Sequence, residues 1–173
     1  MKDKNTLFFR WLLVAFLIAA IDLLTKHLIS DYLRQIAFEE KIYDPKIKIF
    51  SFFDIVYIWN KGISFGIFNK IDNSHVILSV LQGSIALILI YVLYKIKNSY
   101  DSLAFSFVIG GALGNVIDRI LNGAVFDFLD FYIDKYHWPA FNFADSFIFI
   151  GVMILLINEF LVKKNEESTA KSI

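Results

Sequence analysis

Four stretches of this 173-residue chain, roughly 7–29, 76–94, 103–121 and 141–162, are each long and apolar enough to cross about 30 Å of hydrocarbon. Inside a bilayer no water is at hand to bond an exposed peptide group, so an isolated apolar segment of this length crosses as a helix. Composition agrees. Of the residues, 57% are hydrophobic and 17% aromatic, with a mean hydropathy of +0.59, whereas an ordinary soluble domain is about 45–50% apolar. The expected fold is an all-α membrane protein of four transmembrane helices. A single integral membrane domain over 1–173 follows, with no internal repeat, linker or low-complexity tract.

Lys2, Lys4 and Arg10 ahead of an apolar run, with Ala19-Ala20 behind it, also fit a signal peptide. The run continues through Leu28 and Ile29, which favours a retained span. With both termini in the cytoplasm, the inner basic residues crowd the short tails and the tight turn around Lys95 and Lys97, where the positive-inside rule has force. Formal net charge is zero and no basic block stands out, so the footprint of a nucleic-acid binder is missing. The absence of cysteine excludes disulfides, thiolate chemistry and cysteine lipidation of this chain, and leaves the compartment open.

Between the first two spans lies an extramembrane segment at about 31–74. Its middle, KIKIFSFFDIVYIWNKGISFGIF, is rich in β-branched and aromatic residues and is punctuated by Asp44-Pro45 and Lys61-Gly62. That pattern predicts a small extramembrane β-sheet with a turn. So many large apolar residues would be a liability in water, so the sheet is expected on the membrane surface or over a lipid-facing groove. Asn60, Gly62, Ser64 and Gly66 sit at its centre, and NKGISFG by itself reads as a tight turn. The second span has Gln82 as its only strongly polar side chain and reads as scaffold.

Polar residues elsewhere in the spans are costly and need a reason. Asp22 and Lys26, four apart, share a helix face. They read equally as a self-neutralising pair, with Lys26 snorkelling, or as a brace holding the helix end in register against a site. Gly110 and Gly114 allow a second backbone to approach closely, here another helix of the same chain rather than a second copy. Asn115, Asp118 and Arg119 follow at i, i+3, i+4 on one face, with Arg119 placed to neutralise Asp118. Asn122-Gly123 then ends the helix. Asp127 lies among aromatics with no basic residue within three positions, which disfavours its charged form and raises its pKa. Pro139 precedes the fourth span, and Asn142 and Asp145 share a face of its first turn. A carboxylate there is equally a helix cap or a reactive acid.

The third span ends and the fourth begins on the same side, so Asp127 and Asp145 emerge at one membrane face. Two adjacent carboxylates cannot both ionise easily and titrate as a unit sharing one proton. Such a pair can hydrolyse an amide without a covalent intermediate, one Asp drawing a proton from water while the other polarises the carbonyl and protonates the leaving nitrogen. No H-E-x-x-H is present, and His27, His75 and His137 lack ligand spacing, so neither metal nor cofactor is expected. A Ser64–Lys26 pair has no supporting motif. A proton- or ion-coupled transporter could use the same carboxylates, although they cluster at one face and no helix breaks mid-span. A non-catalytic scaffold built on Gly110 and Gly114 is a third reading.

Five blocks in order carry a resemblance over nearly the whole chain: Asp22-x-x-Thr25-Lys26, Asn60-x-Gly62-x-Ser64-Phe65-Gly66, GGALGNVIDR at 110–119, Val125-x-Asp127-Phe128, and Phe141-Asn142-x-Ala144-Asp145. The chain resembles the lipoprotein signal peptidases, or signal peptidases II, which are bacterial membrane aspartyl peptidases. The resemblance implies cleavage of prolipoproteins just before a cysteine carrying diacylglycerol, with Asp127 and Asp145 as the catalytic pair. It implies that Asn60, Gly62, Asn115, Arg119 and Asn142 line or brace the pocket, that Asp118 supports Arg119, and that Asp22 and Lys26 orient the first helix. It further implies a sheet that cradles the substrate, and inhibition by globomycin. With both termini inside, the expected place is the bacterial cytoplasmic (inner) membrane with the site near its outer face and in contact with membrane lipid; a monomer is sufficient for the mechanism, and the oligomeric state stays open. Ser64 stands where the family usually has alanine.

Overall fold

A computed structural model describes residues 4–62 and 74–171. Its elements run α1 (Lys4–Glu40), β1 (Lys46–Phe50), β2 (Phe53–Asn60), α2 (Ser74–Lys95), α3 (Ser99–Asn122), β3 (Val125–Ile133), β4 (Tyr136–His137) and α4 (Phe143–Lys171). All four helices are long and apolar enough to cross a membrane. Ser64 and Gly66 fall outside the described residues, as does the rest of the apolar stretch beyond Gly62.

α3 is the central helix: 61% of its apolar window is buried, against 11–22% for the others, whose remaining surface is left for lipid. Its glycines explain how it comes so close to its neighbours. A Cβ on Gly110 would sit 2.6 Å from the carbonyl oxygen of Ala15 in α1, one on Gly114 would sit 2.6 Å from Oδ2 of Asp22, and one on Gly111 would strike the carbonyl of Ala144 in α4. The G-x-x-x-G spacing is therefore a contact within the chain, as the sequence implied.

α1 overruns the expected span. The stretch 31–40, assigned by sequence to the extramembrane segment, continues the helix. It contains neither Gly nor Pro, and Leu33 is wholly buried against Phe126 and Phe128 of β3. The helix stops where Lys41 takes a left-handed φ of 55° and Ile42 N–H donates back to the Ala37 carbonyl at 3.2 Å, a Schellman closure. At the end of α3, Gly123 with φ 71° does the same work, its N–H donating to Arg119 O at 2.9 Å.

The sheet is antiparallel in the order β1-β2-β3-β4. Only β1 and β2 come from the segment where the sequence predicts strands; β3 and β4 come from the connection between α3 and α4. The first six residues of β3 are all buried, so the strand lacks the alternation that marks a half-exposed strand in sequence. Register pairs Asn60 with Val125 and Ile58 with Asp127. Phe141 is tied to Leu129 by backbone bonds in both directions, 2.9 and 3.1 Å, which brings the start of α4 back onto β3. Ser74 Oγ at the start of α2 donates to Lys61 O at 2.8 Å. The ends of α1 and α3, the starts of α2 and α4, and the sheet thus meet at one end of the bundle.

Candidate active site

At that end a cavity of about 260 Å³ is lined by Asn60, Gly62, Gln82, Asn115, Arg119, Asp127 and Asp145, with Leu78, Leu81, Ile85 and Val125 closing the apolar side. β3 carries Asp127 into it, and the first turn of α4 carries Asp145.

Each aspartate is held by asparagine amides. Asp127 is 2% exposed and accepts from Asn142 Nδ2 at 2.7 Å and from Asn60 Nδ2 at 3.0 Å. The Asn60 amide is oriented by the Gly62 N–H, which donates to its Oδ1 at 3.0 Å. Asp145 Oδ1 accepts from Asn115 Nδ2 at 2.8 Å. Asn142 is also the cap of α4: its Oδ1 accepts from Asp145 N–H at 3.0 Å, and Asp145 Oδ2 accepts from Asn142 N–H at 3.3 Å. This reciprocal capping box satisfies two orphan amides of the helix start. The cap and acid readings of Asp145 are therefore compatible, because one carboxylate oxygen serves the cap while the other meets Asn115.

Behind Asn115 lies a buried charge cluster. Lys26 Nζ donates to Asn115 Oδ1 at 2.7 Å and pairs with Asp22 Oδ2 at 2.8 Å and Asp118 Oδ2 at 3.5 Å. Asp22 Oδ1 accepts from the Ala144 N–H at 2.8 Å. Lys26 and Asp22 thus neutralise each other and at the same time link α1 to both α3 and the α4 start, so the two readings of this pair are compatible.

One expectation is corrected. Arg119 does not neutralise Asp118. Asp118 accepts from the Phe126 N–H at 2.9 Å and from Asn122 Nδ2 at 2.7 Å, and its charge partner is Lys26. Arg119 turns the other way, donating Nη1 to Gln82 Oε1 at 2.9 Å. Consecutive helical residues point about 100° apart, so i, i+1 side chains do not face each other. Gln82 is the residue that sequence reasoning missed. The signal was present, since it is the one strongly polar side chain of its span.

Burial first, and then the charge of Asp145, pushes the Asp127 carboxyl up to about 7. The Asn60 and Asn142 hydrogen bonds and the Lys26 charge act against that rise. A carboxyl poised near neutrality beside a second one, in a cavity open to a ligand, can exchange a proton with water. Among the described residues no group of three or more His, Cys, Asp or Glu side chains could hold a metal ion.

The sequence model of the family Peptidase_A8, signal peptidase (SPase) II, matches residues 14–161. The chain belongs to the signal peptidase II family. It is 38% identical over 159 residues to a lipoprotein signal peptidase of Francisella tularensis subsp. novicida, covering 90% of this chain and 94% of that one. It is 44% identical over 113 residues to a lipoprotein signal peptidase of Anaplasma phagocytophilum, covering 65% and 72%. A bacterial membrane enzyme solved by the in meso method at 2.3 Å shares the fold with a TM-score of 0.72 and 28% identity, over 90% of both chains. Membership makes the chain a multi-pass bacterial membrane protein and a peptidase.

Proposed function

We propose that this signal peptidase II is an aspartic endopeptidase that removes signal peptides from diacylglyceryl-modified prolipoproteins, cleaving before the lipidated cysteine. The observation that carries the reading is the cavity shared by Asp127 and Asp145, with Asp127 near 7 beside a second carboxylate. Two adjacent carboxyls titrate as a unit and can share one proton. The ionised member takes a proton from water as the oxygen attacks the scissile carbonyl. The protonated member donates to the carbonyl oxygen and, as the tetrahedral intermediate collapses, a proton passes to the departing nitrogen. Asn60, Asn115 and Asn142 hold the carboxylates still through donors that do not titrate.

The apolar cavity wall on α2 and the exposed aromatics of the sheet and its first turn, Phe50, Phe52 and Phe131 among them, suit a substrate that arrives from lipid. Both termini lie in the cytoplasm on this reading, with the site near the outer face of the inner membrane. A monomer suffices for the mechanism, and a cyclic peptide antibiotic such as globomycin would compete for the cavity.

The test is to change Asp127→Asn and Asp145→Asn separately and follow prolipoprotein processing in membranes. Each variant should insert normally and lose cleavage. Near-normal cleavage by either one overturns the aspartyl assignment, and transport tracking Asp145 without proteolysis would favour an ion-coupled carrier instead.

A further inference from the structure

Arg119 has an unusual set of partners. Only 7% of it is exposed, and the charges of Asp145, Asp127 and Asp118 all act on it. Even so, no carboxylate among the described residues is within ion-pair reach of it. Its Nη1 is spent on the neutral amide of Gln82, and its Nε is buried with no partner among the described residues. A buried guanidinium ordinarily takes a carboxylate, often through two parallel bonds. Arginine has donors only, so the oxygen of the Gln82 amide must be the atom that faces it.

The geometry has a consequence for the acids. A guanidinium in contact with Asp127 or Asp145 would favour a doubly ionised pair and remove the shared proton that water attack requires. A guanidinium tied to α2 still contributes positive field to the cavity but does not close on either carboxylate.

We infer that Gln82 is a positioning residue of the aspartate pair, anchoring Arg119 on the α2 wall and keeping it out of direct ion pairing with Asp127 and Asp145. The geometric part stands alone; its catalytic consequence rests on the aspartyl peptidase reading. Among the described residues, the charged groups that act on this corner are Asp145 from α4, Lys26 from α1, and Arg119 with Asp118 from α3. α2 adds only Gln82 and aliphatic side chains.

The test compares Gln82→Leu, Gln82→Met and Gln82→Glu with the unchanged protein in detergent micelles. Two quantities are read: the titration of the Asp127 carboxyl carbon by NMR in 13C-labelled protein, and the pH profile of prolipoprotein cleavage. Leu and Met remove the acceptor and release Arg119 toward the aspartates, so the Asp127 midpoint and the upper limb of cleavage move down by roughly half a pH unit or more. Glu supplies a carboxylate that occupies Arg119, so both move up. Shifts of the same sign in the apolar and acidic variants, or midpoints that coincide with the parent, overturn the inference. The NMR arm reports on Asp127 whether or not peptide bonds are cut. A protein that titrates as expected but leaves prolipoprotein intact refutes the peptidase reading alone.

Discussion

Asn142 donates Nδ2 to Oδ1 of Asp127 at 2.7 Å. The same residue caps α4 and bonds Asp145 through both its backbone N–H and its Oδ1. One wholly buried amide therefore joins a strand carboxylate to a helix carboxylate. The Phe141–Leu129 backbone pairing holds the two elements together immediately beside it, so the separation of the acids is set by main chain as well as by side chain.

Asn142 has two separable duties, and two substitutions part them. Asn142→Ala should lower stability by about 1–2 kcal/mol through loss of the cap and slow cleavage by roughly a hundredfold through misplacement of Asp127. Asn142→Ser keeps a capping oxygen but cannot reproduce the amide bridge to Asp127. It should recover most of the unfolding temperature and little of the single-turnover rate. Equal recovery of both would mean that Asn142 acts only as a cap.

Among the described residues, Lys26 is the single cation serving Asp22 and Asp118 at close range. Lys26→Met leaves two buried carboxylates without that charge and should cost about 3–5 kcal/mol, the scale for breaking a buried pair by removing one partner. Adding Asp22→Asn to the same protein removes one of the stranded charges. The double variant should unfold at a higher temperature than Lys26→Met alone, a non-additivity that marks direct coupling.

The position of Asp127 dictates a pH dependence of stability with a definite sign. Its carboxyl stands at about 7 in the folded protein against an ordinary 3.8, so the folded state binds the proton more tightly. The stabilising contribution is full below about 3.8 and is lost as pH rises through about 7, on the order of a few kcal/mol in all. Unfolding temperature should therefore fall across that window, and Asp127→Asn should flatten the slope. Cleavage should decline above about 7 as the pair loses its shared proton. A slope that persists unchanged in Asp127→Asn would assign it to another group.

Two helix glycines offer a matched comparison. Among the described residues nothing lies within 4 Å of a Cβ built on Gly83, whereas one on Gly114 meets Asp22 Oδ2 at 2.6 Å. Gly83→Ala should stabilise α2 by about 0.5–1 kcal/mol through reduced chain entropy. Gly114→Ala must push the α1 carboxylate away from Lys26 and should cost about 1–3 kcal/mol. Thermal unfolding of the two variants in one detergent reads the difference directly.

Much of this was legible in the sequence, and the failures have physical causes. The four spans follow from hydropathy and length. The ends of α3 follow from local chemistry, with Asn98 accepting from Tyr100 N–H and Gly123 taking the left-handed turn. The elevated carboxyl of Asp127 was implied by its aromatic neighbours. The continuation of α1 through 31–40 was missed because that stretch is mixed in polarity, and only the burial of Leu33 against β3 shows which face it covers. β3 was missed because a strand buried through its first six residues has no period of two to display.

By itself the sequence determined the membrane architecture, the block of polar residues at one face, and Asp127 and Asp145 as the residues to test. These depend on local hydropathy, helical period and motif order, none of which needs a neighbouring element. Only the tertiary structure decided which polar group meets which. Lys26 reaches Asn115 across 89 positions of chain, Asp22 reaches the Ala144 N–H across 122, and Arg119 turns from its neighbour Asp118 to Gln82. Such pairings are set by how closely α3 can approach α1, α2 and α4, because hydrogen bonds and ion pairs act over a few ångströms and helix spacing within one segment does not define those distances.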